Sequence, residues 1–162
     1  MPIDSVPAPY SLGVLLRLAH QHFSSAVDEA LDQSGFGDIR PHHANVFSFV
    51  PPEGIQVSEL TVKAGVRKQS MAQAVEELEK LGYVERRPHP TDKRARLVFL
   101  TERGKQIRPL AMATGKRVEE LWSQLLGERD LEVLRSALQA LLGKLQGRGD
   151  GVPGLMTRTE RS

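Results

Sequence analysis

The order of elements between residues 58 and 100 constrains the fold of this chain more than any other feature of its sequence. Ser58 is a candidate N-cap for a short helix from about Glu59 to Lys63, and Ala64-Gly65-Val66 then indicates a tight turn. A second helix is predicted to follow, because five apolar residues recur at helical spacing: Met71, Ala74, Val75, Leu78 and Leu81. Two β-prone runs, 83–87 and 96–100, come next and are joined by a polar connection that we expect to project as a flap. This order is that of a helix-turn-helix with a wing.

The segments on either side of this motif are predicted to be helical. Apolar residues between Leu12 and Leu31 follow a helical stripe, and a short second helix is expected from Pro41 towards Phe49, before a short β-like piece at residues 55–57. Thr101 is the candidate N-cap of a long helix, in which Pro109 is expected to cause a bend. The last helix carries a narrow leucine seam suited to packing against another helix: Leu131, Leu134, Leu138, Leu141 and Leu145. The predicted fold class is therefore mainly α, with a small antiparallel wing.

The charge is divided unevenly along the chain, although its formal net value is only +2. Residues 61–105 hold eleven Lys and Arg against six Asp and Glu, a local charge of +5, so the rest of the chain carries −3. A basic segment that coincides with a helix-turn-helix favours contact with the phosphates of a nucleic acid.

Several classes of function are excluded by the composition. The absence of cysteine excludes disulfides, thiolate zinc sites, cysteine nucleophiles and thiol-based redox sensing. Neither a GxSxG elbow nor metalloprotease spacing is present, so we expect no enzymatic activity and no cofactor. The start of the chain lacks a secretory pattern, and its longest aliphatic or aromatic run, residues 97–100, is far too short for a membrane span. We therefore expect a cytoplasmic protein without a membrane partner.

Two stretches resemble the DNA-binding core of the MarR family of bacterial transcription regulators. They are VSELTVKAGVRKQSMAQAVEELEKLGYVERR (57–87) and HPTDKRARLVFLTERG (89–104), within a looser resemblance over about 11–146. The resemblance implies a homodimer that represses genes from a palindromic operator on double-stranded DNA and, in many members, releases it when a small molecule binds between the two lobes. It also implies one domain over 11–146, with a DNA-binding core at 55–104 and dimerisation helices at 11–34 and 102–146. Residues 1–10 and 147–162 are expected to be a flexible leader and tail.

The second helix of the motif supplies the first set of candidate DNA contacts. Recognition helices usually present their N-terminal residues to base edges in the major groove, which here are Arg67, Lys68, Gln69, Ser70 and Gln73. A glutamine amide matches the adenine edge, whereas Arg67 or Lys68 could contact guanine or phosphate. Relatives commonly have a Ser or Thr cap where this chain has Arg67, so the cap is expected from elsewhere. The alternative is that the glutamines and Ser70 are ordinary surface residues.

The wing supplies the second set: Asp92, Lys93, Arg94 and Arg96. Arg94 at the tip suits a narrow minor groove, and we expect Asp92 to hold its guanidinium extended. By resemblance, these two residues are the wing pair of the family. Lys93 and Arg96 would contact phosphates, or alternatively Arg96 would brace the strands. His89 stands where many relatives have an aspartate.

The histidines and the helical surfaces leave other interpretations open. An effector pocket between the lobes could include Arg17, His20, His42 and Phe47. No histidine pair has the i, i+4 spacing of a helical metal site, so no metal is expected, but a zinc-sensing regulator that uses His42 or His43 with distant acids is one alternative. Another is a helical interaction module that binds a partner protein through the 131–145 seam without specific DNA binding.

Overall fold

The computed structural model describes residues 10–147. The chain forms seven α-helices, one 3₁₀ turn and two strands over this range. In chain order these are α1 (Leu12–Gln33), the 3₁₀ turn (Pro41–His43), α2 (Ala44–Phe49), α3 (Val57–Ala64), α4 (Lys68–Lys80), β1 (Val84–Pro88), β2 (Arg96–Leu100), α5 (Glu102–Lys105), α6 (Ile107–Leu126) and α7 (Glu128–Gly147). The expected leader and tail lie outside the described residues, apart from Tyr10 and Gly147. The predicted mainly helical fold with a small wing is confirmed.

The hydrophobic core lies beneath the helix-turn-helix. The predicted inner face of α4 is confirmed, because Met71, Ala74, Val75 and Leu78 are all buried. They pack with apolar residues from the surrounding elements, of which the most buried are Val46, Val50, Leu60, Tyr83 and Val98. This packing fixes the orientation of α4, so that its opposite face is turned to solvent.

Helix α3 begins earlier than the sequence indicated. Its N-cap is Gln56 and not Ser58, and the Gln56 backbone N–H donates to Glu59 Oε2 at 3.3 Å. The predicted β-like piece is reduced to a single bridge, in which Ile55 exchanges two backbone hydrogen bonds with Val98 of β2. The predicted turn is confirmed: Gly65 ends α3 with φ +61°, in the left-handed region that glycine enters without steric cost. The bridge ties the start of the motif to the base of the wing.

The wing is a two-stranded antiparallel hairpin. Val84 pairs with Leu100 and Pro88 with Arg96, so the strands agree with the prediction to within one residue. Beyond this last pair, residues 89–95 form an irregular connection whose backbone is closed by hydrogen bonds from His89 N–H to Ala95 O and from Ala95 N–H to Asp92 O. The hairpin extends from the end of α4, which places its tip on one side of the recognition helix.

The long helix predicted after Thr101 is divided in two. Thr101 is confirmed as its N-cap, since Oγ1 accepts a hydrogen bond from Gly104 N–H at 3.2 Å. The interruption at Gln106 precedes Pro109, so the expectation of a bend inside one continuous helix was wrong. Pro109 instead lies in the first turn of α6, where a missing backbone N–H leaves no intrahelical hydrogen bond unmade.

The flanking helices keep a large apolar surface exposed. α1 packs on α6, and α6 packs on α7. The predicted leucine seam of α7 is split, because Leu131, Leu138 and Leu145 are half-buried whereas Leu134 and Leu141 are exposed. Further exposed apolar residues lie on α1 and α6: Leu12, Leu15, Leu16, Leu18, Leu121, Leu125 and Leu126. Among residues 10–147 there is no helix with the length and hydropathy required to cross a bilayer.

Candidate nucleic-acid interface

The start of α4 presents the predicted recognition residues to solvent. Arg67, Lys68, Gln69, Ser70 and Gln73 are all exposed, while Met71 and Ala74 between them point into the core. Arg67 occupies the N-cap position in extended conformation, and its side chain does not cap the helix. The backbone N–H groups of the first turn therefore lie on the same exposed surface as the side chains, with the positive end of the helix dipole.

The tip of the wing is shaped by two side chains that bond to backbone. His89 Nδ1 accepts hydrogen bonds from the N–H groups of Thr91 and Asp92, at 3.2 and 3.1 Å. Asp92 Oδ1 accepts from the backbone N–H of Arg94 at 2.9 Å, and not from its guanidinium as the sequence suggested. Asp92 thus fixes the backbone of the tip, which a carboxylate two residues before an amide does readily. The side chains of Lys93, Arg94 and Arg96 are exposed.

Ion pairing separates two groups among the eleven cations of residues 61–105. Five form salt bridges with acids of the same domain: Lys80 with Glu76, Arg86 with Glu79, Arg87 with Glu85, Arg103 with Asp38, and Lys105 with Glu102. The other six form no salt bridge within residues 10–147: Lys63, Arg67, Lys68, Lys93, Arg94 and Arg96. Except for Lys63, the cations of this second group lie at the start of α4 and on the wing. The positive charge that the acids leave uncompensated is therefore concentrated on the predicted DNA-facing surface.

Glu77 of α4 accepts three side-chain hydrogen bonds, an arrangement that the sequence analysis missed. Its Oε1 accepts from Gln73 Nε2 at 2.8 Å, and its Oε2 lies 2.7 Å from His42 Nε2 and 2.8 Å from His43 Nε2. The hydrogen bond from Gln73, followed by those from His43 and His42, lowers the pKa of Glu77 to about 2. The i, i+4 spacing of Gln73 and Glu77 could have indicated the first contact. The histidines lie more than thirty residues away in the sequence, and no local pattern relates them to Glu77.

His43 and its neighbour bring together atoms that could hold a metal ion. The Nε2 atoms of His42 and His43 and a carboxylate oxygen of Glu77 lie within 4.8 Å of one another. However, His43 Nδ1 accepts a hydrogen bond from the backbone N–H of Arg40 at 3.0 Å, which places the proton of the neutral ring on Nε2. A histidine that ligates through Nε2 normally donates from Nδ1, so this contact opposes metal binding by His43. Burial lowers the pKa of His43, which also favours the neutral ring.

A cavity of about 460 Å³ lies between α1, α6 and the segment from Ile39 to Ser48, which includes the 3₁₀ turn and most of α2. Of the four predicted pocket residues the structure places only Phe47 in its wall: Arg17 and His20 are exposed on α1, and His42 contacts Glu77 instead. The remaining wall is mainly apolar and includes Phe23, Val27, Leu31, Ile39, Ile107, Ala111 and Met112, with Asp28, Arg40, Arg108, Lys116 and Glu119 among its charged residues. The sequence missed these residues because they come from α1, α6 and the 33–48 segment, which only the packing brings together.

Arg108 connects the wall of this cavity to α2. Its guanidinium donates to the carbonyl oxygens of Phe47, Ser48 and Val50 at 2.7 to 3.2 Å, and so satisfies the C-terminal end of α2. The Arg108 guanidinium therefore holds α6 to α2 beside the cavity through three carbonyl partners.

Comparison with known proteins identifies the family. Residues 38–95 match the model of the MarR family. The chain is 31% identical over 125 residues to the HTH-type transcriptional regulator PetP of Rhodobacter capsulatus. This alignment covers 76% of this chain and 74% of PetP. It superposes on wild-type apo MarR from E. coli with a TM-score of 0.65 (25% identity, 83% of this chain and 98% of MarR), and on CouR from Rhodococcus jostii RHA1 with a TM-score of 0.62 (25% identity, 81% and 91%). The winged helix-turn-helix, its exposed basic surface and these relatives together show that the chain belongs to the MarR family of transcriptional regulators.

Proposed function

We propose that this protein is a sequence-specific, double-stranded DNA-binding repressor that binds a pseudo-palindromic operator as a homodimer and is released from it by a small molecule. The separation of paired from unpaired cations carries the proposal. Arg67, Lys68, Lys93, Arg94 and Arg96 are exposed and form no salt bridge within the described range, whereas neighbouring cations are neutralised by acids. Unneutralised cations on one surface are what phosphate contact and counterion release require.

The two exposed elements suit the two grooves of DNA. The N-terminal half of α4 is a free helical edge that fits the major groove, where Gln69, Ser70 and Gln73 face the bases and Arg67 and Lys68 face the backbone or a guanine. The tip of the wing places Arg94 where a narrow minor groove would attract it, with Lys93 and Arg96 towards phosphates. The same surface therefore contains one element for base contacts and one for groove shape.

The exposed leucines of α1, α6 and α7 support a homodimer. These leucines lie on helices that pack on one another, and exposed apolar residues in such number favour an interaction site. A two-fold dimer would present two α4 helices to successive major grooves roughly 34 Å apart, so the operator should be a pseudo-palindrome.

The cavity supports control by a small molecule. Its volume of about 460 Å³ falls within the range of ligand sites, and its mainly apolar wall with a few charged groups suits an organic effector. The related structure of CouR is bound to p-coumaroyl-CoA, which shows that one relative binds an organic ligand. Arg40 and Pro41 belong to the wall and immediately precede His42 and His43, which contact α4 through Glu77. Occupation of the cavity would thus act on the recognition helix through this segment.

A DNA-binding measurement tests the proposal. Full-length protein is incubated with a randomised duplex library, bound duplexes are sequenced after several rounds, and the affinity for the selected duplex is measured by fluorescence anisotropy at several salt concentrations. We expect a two-fold-related consensus and an affinity that falls steeply as salt rises. A helical interaction module would select no consensus. Light scattering should give the mass of a dimer, and a monomer at micromolar concentration would remove the basis for a palindrome.

A further inference from the structure

Gln73 is held in one orientation by the residue one turn further along α4. Its amide nitrogen donates to Glu77 Oε1 at 2.8 Å. The ionised carboxylate accepts hydrogen bonds and donates none, so the amide must turn an N–H towards it. The Gln73 carbonyl oxygen and its second N–H have no hydrogen-bond partner within residues 10–147, and the side chain is exposed. One acceptor beside one donor is the pattern that matches N6–H and N7 of adenine.

Glu77 is itself fixed from outside the recognition helix. Its Oε2 lies within 2.8 Å of Nε2 of both His42 and His43, which belong to the 3₁₀ turn. His43 is 1% exposed, and its Nδ1 is occupied by the N–H of Arg40, so its Nε2–H is directed at Glu77. The rotamer of Glu77 is therefore set by tertiary contacts, and Gln73 is bonded to a carboxylate that does not rotate freely.

We propose that Glu77 is a positioning residue that sets the amide orientation of Gln73 and thereby determines which base Gln73 prefers in the operator. The inference rests on the proposed function, since it requires α4 to enter the major groove. Glu77 does not contact DNA in this role. It determines whether the outward face of Gln73 includes a hydrogen-bond acceptor.

The variant Glu77→Gln should reverse this orientation. Its amide must keep an oxygen towards the Nε2–H of His43, because an N–H there would face another donor inside the protein. Its NH₂ group then faces Gln73, which must turn its own carbonyl inward to accept. The two N–H groups of Gln73 are left outward, where they suit acceptors such as guanine O6 and N7 or thymine O4 and no longer match adenine.

In the experiment, full-length wild type, Gln73→Ala, Glu77→Gln and Glu77→Ala each undergo selection from the same randomised duplex library. Glu76→Gln is the matched control, because it makes the identical chemical change one residue away at a carboxylate that bonds only to Lys80 among the described residues. Thermal unfolding of every variant is followed by circular dichroism. Glu77→Gln retains an acceptor for His43, so it tests the proposal even if Glu77→Ala does not fold.

We expect wild type and Glu76→Gln to prefer adenine at the same operator position, by roughly tenfold or more. Gln73→Ala should lose that preference, and Glu77→Gln should exchange it for guanine or thymine at that position alone. An unchanged base preference in Glu77→Gln, or an equal weakening at all positions, would overturn the role of Glu77. A selected consensus that Gln73→Ala leaves intact would also overturn it while sparing the proposed function. If wild type selects no consensus at all, the proposed function itself fails.

Discussion

Replacement of Arg94 by alanine is expected to weaken operator binding without affecting the fold. The side chain is exposed and forms no hydrogen bond or salt bridge within residues 10–147, and its backbone N–H can still donate to Asp92 in the variant. An arginine in a groove contributes about 1–3 kcal/mol per contact, and a dimer loses two copies, so the total loss should be about 2–6 kcal/mol. A cation held in the minor groove also displaces condensed counterions, so the slope of log K against log salt should become shallower in the variant.

Arg87 provides the matched control on the same wing. It carries the same charge, but it is paired with Glu85 and its guanidinium lies 4.5 Å from the centre of the Phe99 ring. Arg87→Ala changes the net charge of the protein by the same amount as Arg94→Ala. Because Arg87 is already neutralised within the domain, its removal should change the salt slope by much less.

Fluorescence anisotropy with the selected duplex, at salt concentrations from about 50 to about 250 mM, measures both the affinity and its dependence on salt. Circular dichroism should show the same melting temperature for Arg94→Ala and wild type. Equal losses for the two variants would mean that only bulk charge matters. An unchanged slope and affinity for Arg94→Ala would refute the assignment of the wing tip to DNA.

Three further predictions concern assembly and stability. Leu134 is 43% exposed among the apolar residues of α7, and Leu134→Glu places a charge there. We expect light scattering to report a monomer for this variant instead of a dimer, with little change in helix content. A dimeric variant would contradict the proposed interface. Gly104→Ala should destabilise the fold by about 1–3 kcal/mol, because a Cβ there would overlap the backbone oxygen of Tyr83, and a denaturation midpoint equal to wild type would show that the backbone can yield. The free energy of unfolding should decrease as pH falls below about 6.5, because burial lowers the pKa of His43 and the unfolded chain binds the proton more readily. The free energy of unfolding should decrease again as pH falls from 4.5 towards 2, because the unfolded chain protonates Glu77 before the folded chain does. Thermal melts at a series of pH values measure both decreases. A His43→Gln variant with the wild-type profile above about pH 5 would contradict the role of His43 in the decrease below about pH 6.5.

The sequence determined the motif and most of its boundaries. Helical spacing defined the buried face of α4, and the left-handed glycine at Gly65 and the cap at Thr101 are local features, so the neighbouring residues sufficed to predict them. The start of α3 was misplaced by two residues because glutamine is a weaker N-cap than serine, so local sequence favours Ser58 over Gln56. The position at which the chain enters α3 is set instead by the bridge between Ile55 and Val98. Likewise, Pro109 lacks the backbone N–H that would bond to Lys105 O, and the helix is interrupted at Gln106, in the turn that precedes the proline.

Charge shows most clearly what sequence and tertiary structure each contributed. The sequence alone established that residues 61–105 are basic, since a sum of charges needs no coordinates. Only the tertiary structure decided which cations are neutralised and which stay available, because an ion pair requires two side chains within about 4 Å of each other. The same reason explains why the sequence suggests a metal or a pocket for His42 and gives no sign of its contact with Glu77: the thirty-four intervening residues fold back to bring His42 Nε2 and Glu77 Oε2 to 2.7 Å. Periodicity fixes which face of a helix is inside, whereas packing fixes what each polar side chain on its edge can contact.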